Sequence, residues 1–559
     1  MNKQMNFQLM STTLTRSELE AGLSLIRAFF PEGKVSVKGP VTIGDLEHDV
    51  NENGKVDSQK SGNVNGHVSG NELVELVAVI EVDVTFPGRP YNVQGKFYYE
   101  PAQAQPHLHL CPQTFQSDAY APSKRYQVLI SPQDVEQILT HPQVGKETER
   151  KVLLKHGLYH LLTQVTGHTP PWGILTGIRP SKILHRLNDL GISETSEKKV
   201  LLERYLIRED KTQLLQEVVV LQRPYLKEIV DHPEQVAVYV GIPFCPTRCT
   251  YCSFPAYSLQ QGREPLQAYL QGLYEEIRVT GAWMKETGRC ASSLYMGGGT
   301  PTILSTSEIS VLLQWIRKNI PMAEEIELSV EAGRPDTLSQ EKLQALREQG
   351  VNRLSINPQS MHNRTLKRIG RAHSVEDILR IYELAREIPG WAINMDLILG
   401  LPGENVADVR ESLKQIGELK PDNLTVHALA IKKGSKEYEA GLVQNLGTEL
   451  ESMQEIVLAS ARSLGMRPYY LYRQKHIAGN LENIGFALPG AECRYNIGIM
   501  EERQSVIGIG AGASSKVVNP QDFSLTNMKH PSNWQVYLRR WPEIYQKRVG
   551  EFLKISHSL

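Results

Sequence analysis

The spacing of hydrophobic and polar positions changes twice along the chain. From Leu73 to Tyr99 apolar and polar residues alternate on either side of Pro87-Gly88-Arg89-Pro90, which predicts a β-hairpin closed by a turn. Ahead of it, Asp45 to Asn71 is rich in Asn, Gly, Asp and Ser and almost empty of large apolar side chains, the composition of a solvated, disordered loop. From Ser131 to Ile229 the spacing turns helical: Val135, Ile138 and Leu139 mark one face, and Leu201, Leu202, Tyr205 and Leu206 another. Pro170 to Gly177 interrupts this stretch, because its prolines and glycines forbid a continuous helix, and it carries no chemical signal.

After Pro233 short apolar runs begin near Val236, Leu294, Ile326, Arg353, Ala392 and Asn423, and each interval holds a helical pattern. Ser305 three residues before Glu308, and Ser374 three before Asp377, form capping-box signatures. Gly350 and Gly390 follow the apolar faces ending at Leu346 and Leu384 as helix stops. Strand then helix, six times over, predicts parallel strands with right-handed crossovers, too few for a closed eight-unit barrel. The expected fold is therefore α/β: an open, partial (β/α)6 barrel with an N-terminal α+β extension and a small C-terminal region. Domain boundaries are expected at residues 1–130, 131–233, 234–460 and 461–559. In such barrels the functional residues follow the strands' carboxyl ends.

Composition narrows the setting. A length of 559 residues exceeds one ordinary core, and a net charge of -1 supplies no global basic field for nucleic acid or an acidic membrane. No apolar run approaches the roughly 20 residues of a membrane span, and because Arg27 breaks the most apolar early stretch, Ala21 to Phe30, no export signal is expected. Six cysteines are too sparse for a disulfide framework, so a cytoplasmic location is expected.

Three of those cysteines crowd into one loop. The run from Val236 to Phe244 leads into Cys245-Pro-Thr-Arg-Cys249-Thr-Tyr-Cys252. Three thiolates at this spacing suit a [4Fe–4S] cluster with one iron open to an exogenous ligand, or a structural zinc that borrows a distant histidine. Gly297-Gly298-Gly299-Thr300 ends the second run, and its glycines permit close backbone approach by a ligand or simply a tight βα turn. Glu331 ends the third run, Gln359 the fourth, and Asp396 lies within the fifth. Each suits hydrogen bonding to a small polar ligand or a structural cap. Tyr469-Tyr470-Leu471-Tyr472-Arg473-Gln474-Lys475-His476 and Arg494-Tyr495 combine aromatic faces with cations. They suit a flat substrate bearing carboxylates, or a strand with aromatic packing and a solvated basic end. Gly508 to Ser514 is a Gly-rich turn, Cys111, Cys290 and Cys493 are isolated, and His107 and His109 alternate in a strand-like segment.

Together these motifs resemble the radical S-adenosylmethionine (SAM) signature, with the aromatic Tyr251 beside the last cysteine. Tyr239, Ile242 to Cys245, the Gly-Gly-Gly-Thr-Pro-Thr turn, Asn357 to Ser360, Leu366 to Gly370 with Arg371, and Asp396 to Gly403 are similar to the oxygen-independent coproporphyrinogen III oxidase family. The likeness covers about residues 236 to 515, and the long N-terminal extension resembles its HemZ-type branch. It implies a [4Fe–4S] cluster on Cys245, Cys249 and Cys252, and SAM contacts from Tyr239, Gly298, Gly299, Thr300, Glu331, Gln359, Arg371, Asp396 and Ala430. It implies a tetrapyrrole substrate met by Arg473, Lys475 and Arg494, and a low-potential electron donor of flavodoxin or ferredoxin type. One position departs. The oxidase branch has a further cysteine two residues after the third, where this chain has Phe254. A haem-trafficking branch also lacks it, and another branch opens haem anaerobically. Decarboxylation, haem carriage and a different radical reaction thus remain three readings of one site.

Overall fold

The computed structural model describes residues 5–10, 16–29, 34–38, 75–83, 91–100, 124–130, 132–142, 148–177, 179–253, 257–259, 262–430, 435, 447–474 and 480–556. They divide into two compact units, residues 1–177 with 186–212 and residues 178–185 with 213–559.

In the first unit, β1 (Met5–Met10) pairs in parallel with β2 (Lys34–Lys38) and β3 (Glu75–Asp83). β4 (Tyr91–Glu100) and β5 (Lys124–Ile130) follow antiparallel, giving the order β2-β1-β3-β4-β5. The hairpin expected from the alternating pattern is β3–β4, in register from Glu75↔Glu100 to Asp83↔Asn92. The solvated loop expected at 45–71, together with His107, His109 and Cys111, lies outside the described residues. Helix Arg16–Phe29 meets helix Glu149–Thr166, where Phe29 stands edge-on to Tyr159 at 5.7 Å. The interrupting turn is a packing element: Trp172 is fully buried, and Gly173 at φ 52° leaves no room for a side chain, since a Cβ there would meet the Leu206 carbonyl oxygen at 2.2 Å.

The second unit contains the predicted barrel. The six runs are β6 (Gln235–Ile242), β9 (Cys290–Gly298), β10 (Met322–Glu331), β11 (Arg353–Ser355), β12 (Ala392–Leu399) and β13 (Asn423–Ala428), all mutually parallel. A short parallel pair, β7 (Phe244–Cys245) with β8 (Tyr257–Ser258), brackets the cysteine loop. Strands such as β6 are buried along most of their length because helices and barrel interior cover their two faces. Helix Thr306–Asn319 shows the complementary pattern: it buries Ile309, Leu312, Leu313 and Ile316 and starts at the Ser305/Glu308 capping box. The Ser374/Asp377 box opens helix Val375–Glu387, and a third box, Asn405/Asp408, opens Val406–Leu419.

The sheet is open and wider than six strands. β14 (Arg467–Tyr472) and β15 (Asn483–Ala487) extend it antiparallel beyond β13. β16 (Val506–Ile509) pairs in parallel with β6 on the other side, followed by β17 (Ser514–Val518) and β18 (Leu525–Lys529). The full order is β14-β15-β13-β12-β11-β10-β9-β6-β16-β17-β18. The C-terminal stretch therefore supplies both edges of the barrel sheet. Among the described residues no helix is long and apolar enough to cross a membrane.

Candidate active site

The cysteine loop leaves β6 at Ile242 and crosses the carboxyl ends of the neighbouring strands. Cys245, Cys249 and Cys252 are thiols outside any disulfide, and all three are partly exposed. Cys245 Sγ lies 3.3 Å from the Thr300 hydroxyl, at the end of the glycine turn. Burial pushes the Cys245 thiol up to about 11, the Thr300 contact lowers it, and the nearby Cys252 and Cys249 raise it further. The loop is tied down from the next strand ends. Thr250 N–H donates to the Ile369 carbonyl at 3.0 Å, and the Thr247 hydroxyl donates to the Gly370 carbonyl at 3.2 Å. Arg371 donates to the Asn357 carbonyl at 2.7 Å, the Gly333 carbonyl at 3.0 Å and the Tyr251 hydroxyl at 3.4 Å.

The glycine turn closes against the start of that loop. Gly299 N–H donates to the Ile242 carbonyl at 2.8 Å, and a Cβ on Gly299 would sit 2.5 Å from the Phe244 carbonyl oxygen. A Cβ on Gly297 would meet Glu331 Oε2 at 2.9 Å, so bare backbone is what lets this carboxylate approach the turn. Glu331 accepts from the Tyr295 hydroxyl at 2.7 Å. Burial lifts its carboxyl to about 7; the Tyr295 bond lowers it, and nearby Asp396 raises it again. Below it three rings stack in the barrel interior: Tyr295 on Tyr495 at 4.6 Å, Tyr239 on Tyr295 at 6.2 Å, and Tyr239 on Tyr495 at 6.4 Å.

On the far side of the barrel mouth, Gln359 adopts φ 66°, unusual for a residue with a side chain, and bridges to β12 through the Asp396 carbonyl at 2.8 Å. Asp396 accepts from Asn394 at 2.6 Å and faces His427 Nε2 at 3.7 Å; His427 Nδ1 in turn faces the Tyr472 hydroxyl at 3.5 Å. Ala430 follows β13 directly. The fold thus gathers Cys245, Cys249, Cys252, Tyr251, Gly298, Gly299, Thr300, Glu331, Gln359, Arg371, Asp396 and Ala430 around one end of the barrel, while Tyr239 sits deeper, in the ring stack. His427 and Tyr295 are site neighbours that the sequence reading missed; the inward alternation Asn423, Thr425, His427 on β13 was the available signal.

The substrate-side candidates separate. Arg473 follows Tyr472 at the same barrel end and is buried, with burial bringing its guanidinium down to about 10 against the pull of Glu482. Lys475 and Phe254 lie outside the described residues. Arg494 is not brought to this end. Its side chain pairs with Glu228 at 3.2 Å, beside Gln235 and Ser292 at the amino ends of β6 and β9, because helix Arg494–Glu501 starts on the Glu327 carboxylate inside the barrel. Cys493, buried, donates to that same carboxylate at 3.2 Å, and Cys290 opens β9. The Gly508 to Ser514 turn is a structural one: a Cβ on Gly508 would meet the Ser514 backbone at 2.7 Å.

Residues 239–416 match the Radical SAM superfamily. The oxygen-independent coproporphyrinogen-III oxidase-like protein HemZ of Bacillus subtilis is 42% identical over 70% of this chain and 78% of its own. The chain belongs to the radical SAM superfamily, in its HemZ-type branch. The haem chaperone HemW of B. subtilis is 32% identical to this HemZ-type chain over 53% of it and 74% of HemW. Among solved structures, the coproporphyrinogen III oxidase HemN of Escherichia coli aligns at TM-score 0.46 and 24% identity, over 57% of this chain and 72% of that one.

Radical SAM proteins carry a [4Fe–4S] cluster and SAM, and these are the cofactors of the HemZ-type chain. Its residues fit them. A four-iron cluster takes each thiolate on a separate iron, which suits three cysteines spread along one loop. Among the described residues, no hydrogen-bond donor reaches the buried Asn357 Oδ1 or Gln359 Oε1. Two orphaned acceptors next to a carboxylate and a bare glycine turn match a ligand rich in N–H and O–H donors, as SAM is.

Proposed function

We propose that this enzyme performs the oxygen-independent oxidative decarboxylation of two propionates of coproporphyrinogen III, giving protoporphyrinogen IX. Cys245, Cys249 and Cys252 hold the cluster, and Gly298, Gly299, Thr300, Glu331, Gln359, Arg371, Asp396 and Ala430 receive SAM. When bound, these cofactors supply a 5′-deoxyadenosyl radical through one-electron reduction by a low-potential donor of flavodoxin or ferredoxin type. Each vinyl group formed removes one hydrogen atom, one CO2 and one electron from the substrate, the electron passing to an external acceptor.

The observation that carries the reading is the concentration of partly exposed thiols, a raised-pKa carboxyl and two orphaned acceptors at one barrel end, in a chain 42% identical to an oxidase-like protein. The chain's own residues position and screen. Glu331 and Asp396 offer carboxylates to an ammonium and to ribose hydroxyls; Arg371 locks the cysteine loop to the strand ends through three donated bonds. Arg473, buried behind the barrel end and bonded to Asn480, places a positive charge where a propionate can be drawn. Tyr239, Tyr295 and Tyr495 fill the barrel beneath and keep water from the reacting end.

A second reading, haem carriage, has its own support in the 32% identity to a haem chaperone. Anaerobic incubation with SAM, reductant and coproporphyrinogen III separates the two. Loss of two CO2 per tetrapyrrole with 5′-deoxyadenosine formed in step supports the decarboxylase. Stable haem absorbance with no deoxyadenosine supports the carrier. Deoxyadenosine without decarboxylation leaves a different radical reaction.

A further inference from the structure

The span between the first two cysteines is held by a charged clamp that no cofactor assignment uses. Arg334, in the loop after β10, is only 3% exposed. Its guanidinium grips the Asp336 carboxylate with two bonds, at 3.0 and 3.2 Å. The same group donates to the Thr247 carbonyl at 3.3 Å and to the Thr247 hydroxyl at 2.9 Å. On the other side, His373 Nδ1 lies 3.2 Å from Asp336 Oδ1, and the His373 side chain is fully buried. Burial alone would raise the Asp336 carboxyl, yet His373 and Arg334 hold it well below the usual carboxylate range. His373, Asp336, Arg334 and Thr247 therefore form one continuous chain joining the segments that follow β11, β10 and β7.

The pair is only half buried: the Arg334 side chain is 4% exposed and that of Asp336 26%, so solvent screens the carboxylate and the pair adds little to stability. What it does at this place is geometric. Thr247 lies midway between Cys245 and Cys249, so fixing its carbonyl and its hydroxyl fixes the direction in which both thiols leave the loop. A planar guanidinium serves both acceptors and the carboxylate at once, which the single ammonium of lysine cannot.

We propose that Arg334, Asp336 and His373 are positioning residues that hold the cysteine loop in its cluster-binding shape; this rests on the reading of Cys245, Cys249 and Cys252 as the cluster ligands. The clamp residues act through Thr247.

The test uses the full chain, reconstituted anaerobically with iron and sulfide. Arg334→Lys, Asp336→Asn and Thr247→Val are compared with wild type for iron bound per chain, rate of iron loss to a chelator, hydrogen exchange of the 245–252 amides without iron, and thermal midpoint without iron. The clamp predicts chelator-driven iron loss accelerated at least tenfold in Arg334→Lys and Asp336→Asn, with faster exchange confined to the loop. Thr247→Val, which keeps the carbonyl arm, should fall between. Wild-type iron retention in both charged-pair variants overturns the proposal. So does a lowered midpoint with unchanged loop exchange, since that marks a merely structural ion pair. If Cys249→Ala binds as much iron as wild type, the ligand reading fails instead.

Discussion

Glu331→Gln separates the electrostatics of the site from its packing. The Glu331 carboxyl moves from 4.5 to about 7 on folding, chiefly because burial disfavours its charge. A carboxyl whose folded pKa is raised binds more protons folded than unfolded between those two values, so stability falls as pH rises through that window and the loss is complete above it. At about 1.36 kcal/mol per pH unit, this group disfavours the folded state by about 3 kcal/mol at pH 8 and by about 1 kcal/mol at pH 5. Glutamine keeps an acceptor for the Tyr295 hydroxyl, which donates to Oε1 at 2.7 Å, and removes the charge. It also loses the acceptor that Gly298 N–H uses, a pH-independent cost of about 1 kcal/mol. The cofactor-free variant should therefore gain about 2.5 kcal/mol on wild type between pH 5 and pH 8. Urea unfolding at several pH values, followed by a probe on the barrel, measures this. A variant-minus-wild-type difference that is flat with pH refutes the reasoning. In the reconstituted protein the same carboxylate should favour SAM, so wild-type affinity should weaken about tenfold per unit below pH 7, and Glu331→Gln should lose that dependence.

Further outcomes follow from the geometry. Gly299→Ala sets a Cβ against the Phe244 carbonyl oxygen, 2.5 Å away, and that backbone leads directly into Cys245; iron uptake should fall several-fold, and full uptake would show that the turn yields freely. Arg473→Ala should raise the KM for a tetrapyrrole carboxylate substrate. Arg494→Ala should leave that KM unchanged, because its side chain pairs with Glu228 at the opposite barrel end; as a partly exposed ion pair it should cost under about 1 kcal/mol of stability. The reverse ranking in steady-state kinetics would contradict the placement of the substrate.

What could be seen in the sequence was whatever depends on local spacing. Six apolar runs became six parallel strands, two Ser-x-x-acid signatures became capping boxes, and the residues following the runs came together at the carboxyl ends. The parts that escaped depend on partners far along the chain. Strands β14 to β18 are read locally as tyrosine-rich or glycine-rich segments, and only pairing with β13 and β6 makes them barrel edges. Arg494 has the same chemistry as Arg473. It is Glu327, more than a hundred residues earlier, that anchors its helix at the other end. His427 and the Arg334 clamp likewise acquire meaning only through Asp396, Tyr472 and Thr247, brought close by the crossovers.

The most direct test of the account is the iron content and visible absorbance of the anaerobically reconstituted wild-type chain beside Cys249→Ala. The account predicts about four irons per chain with a broad iron–sulfur band in wild type, and loss of both in the variant, as three-cysteine ligation requires. Equal iron and an unchanged spectrum in Cys249→Ala would contradict it.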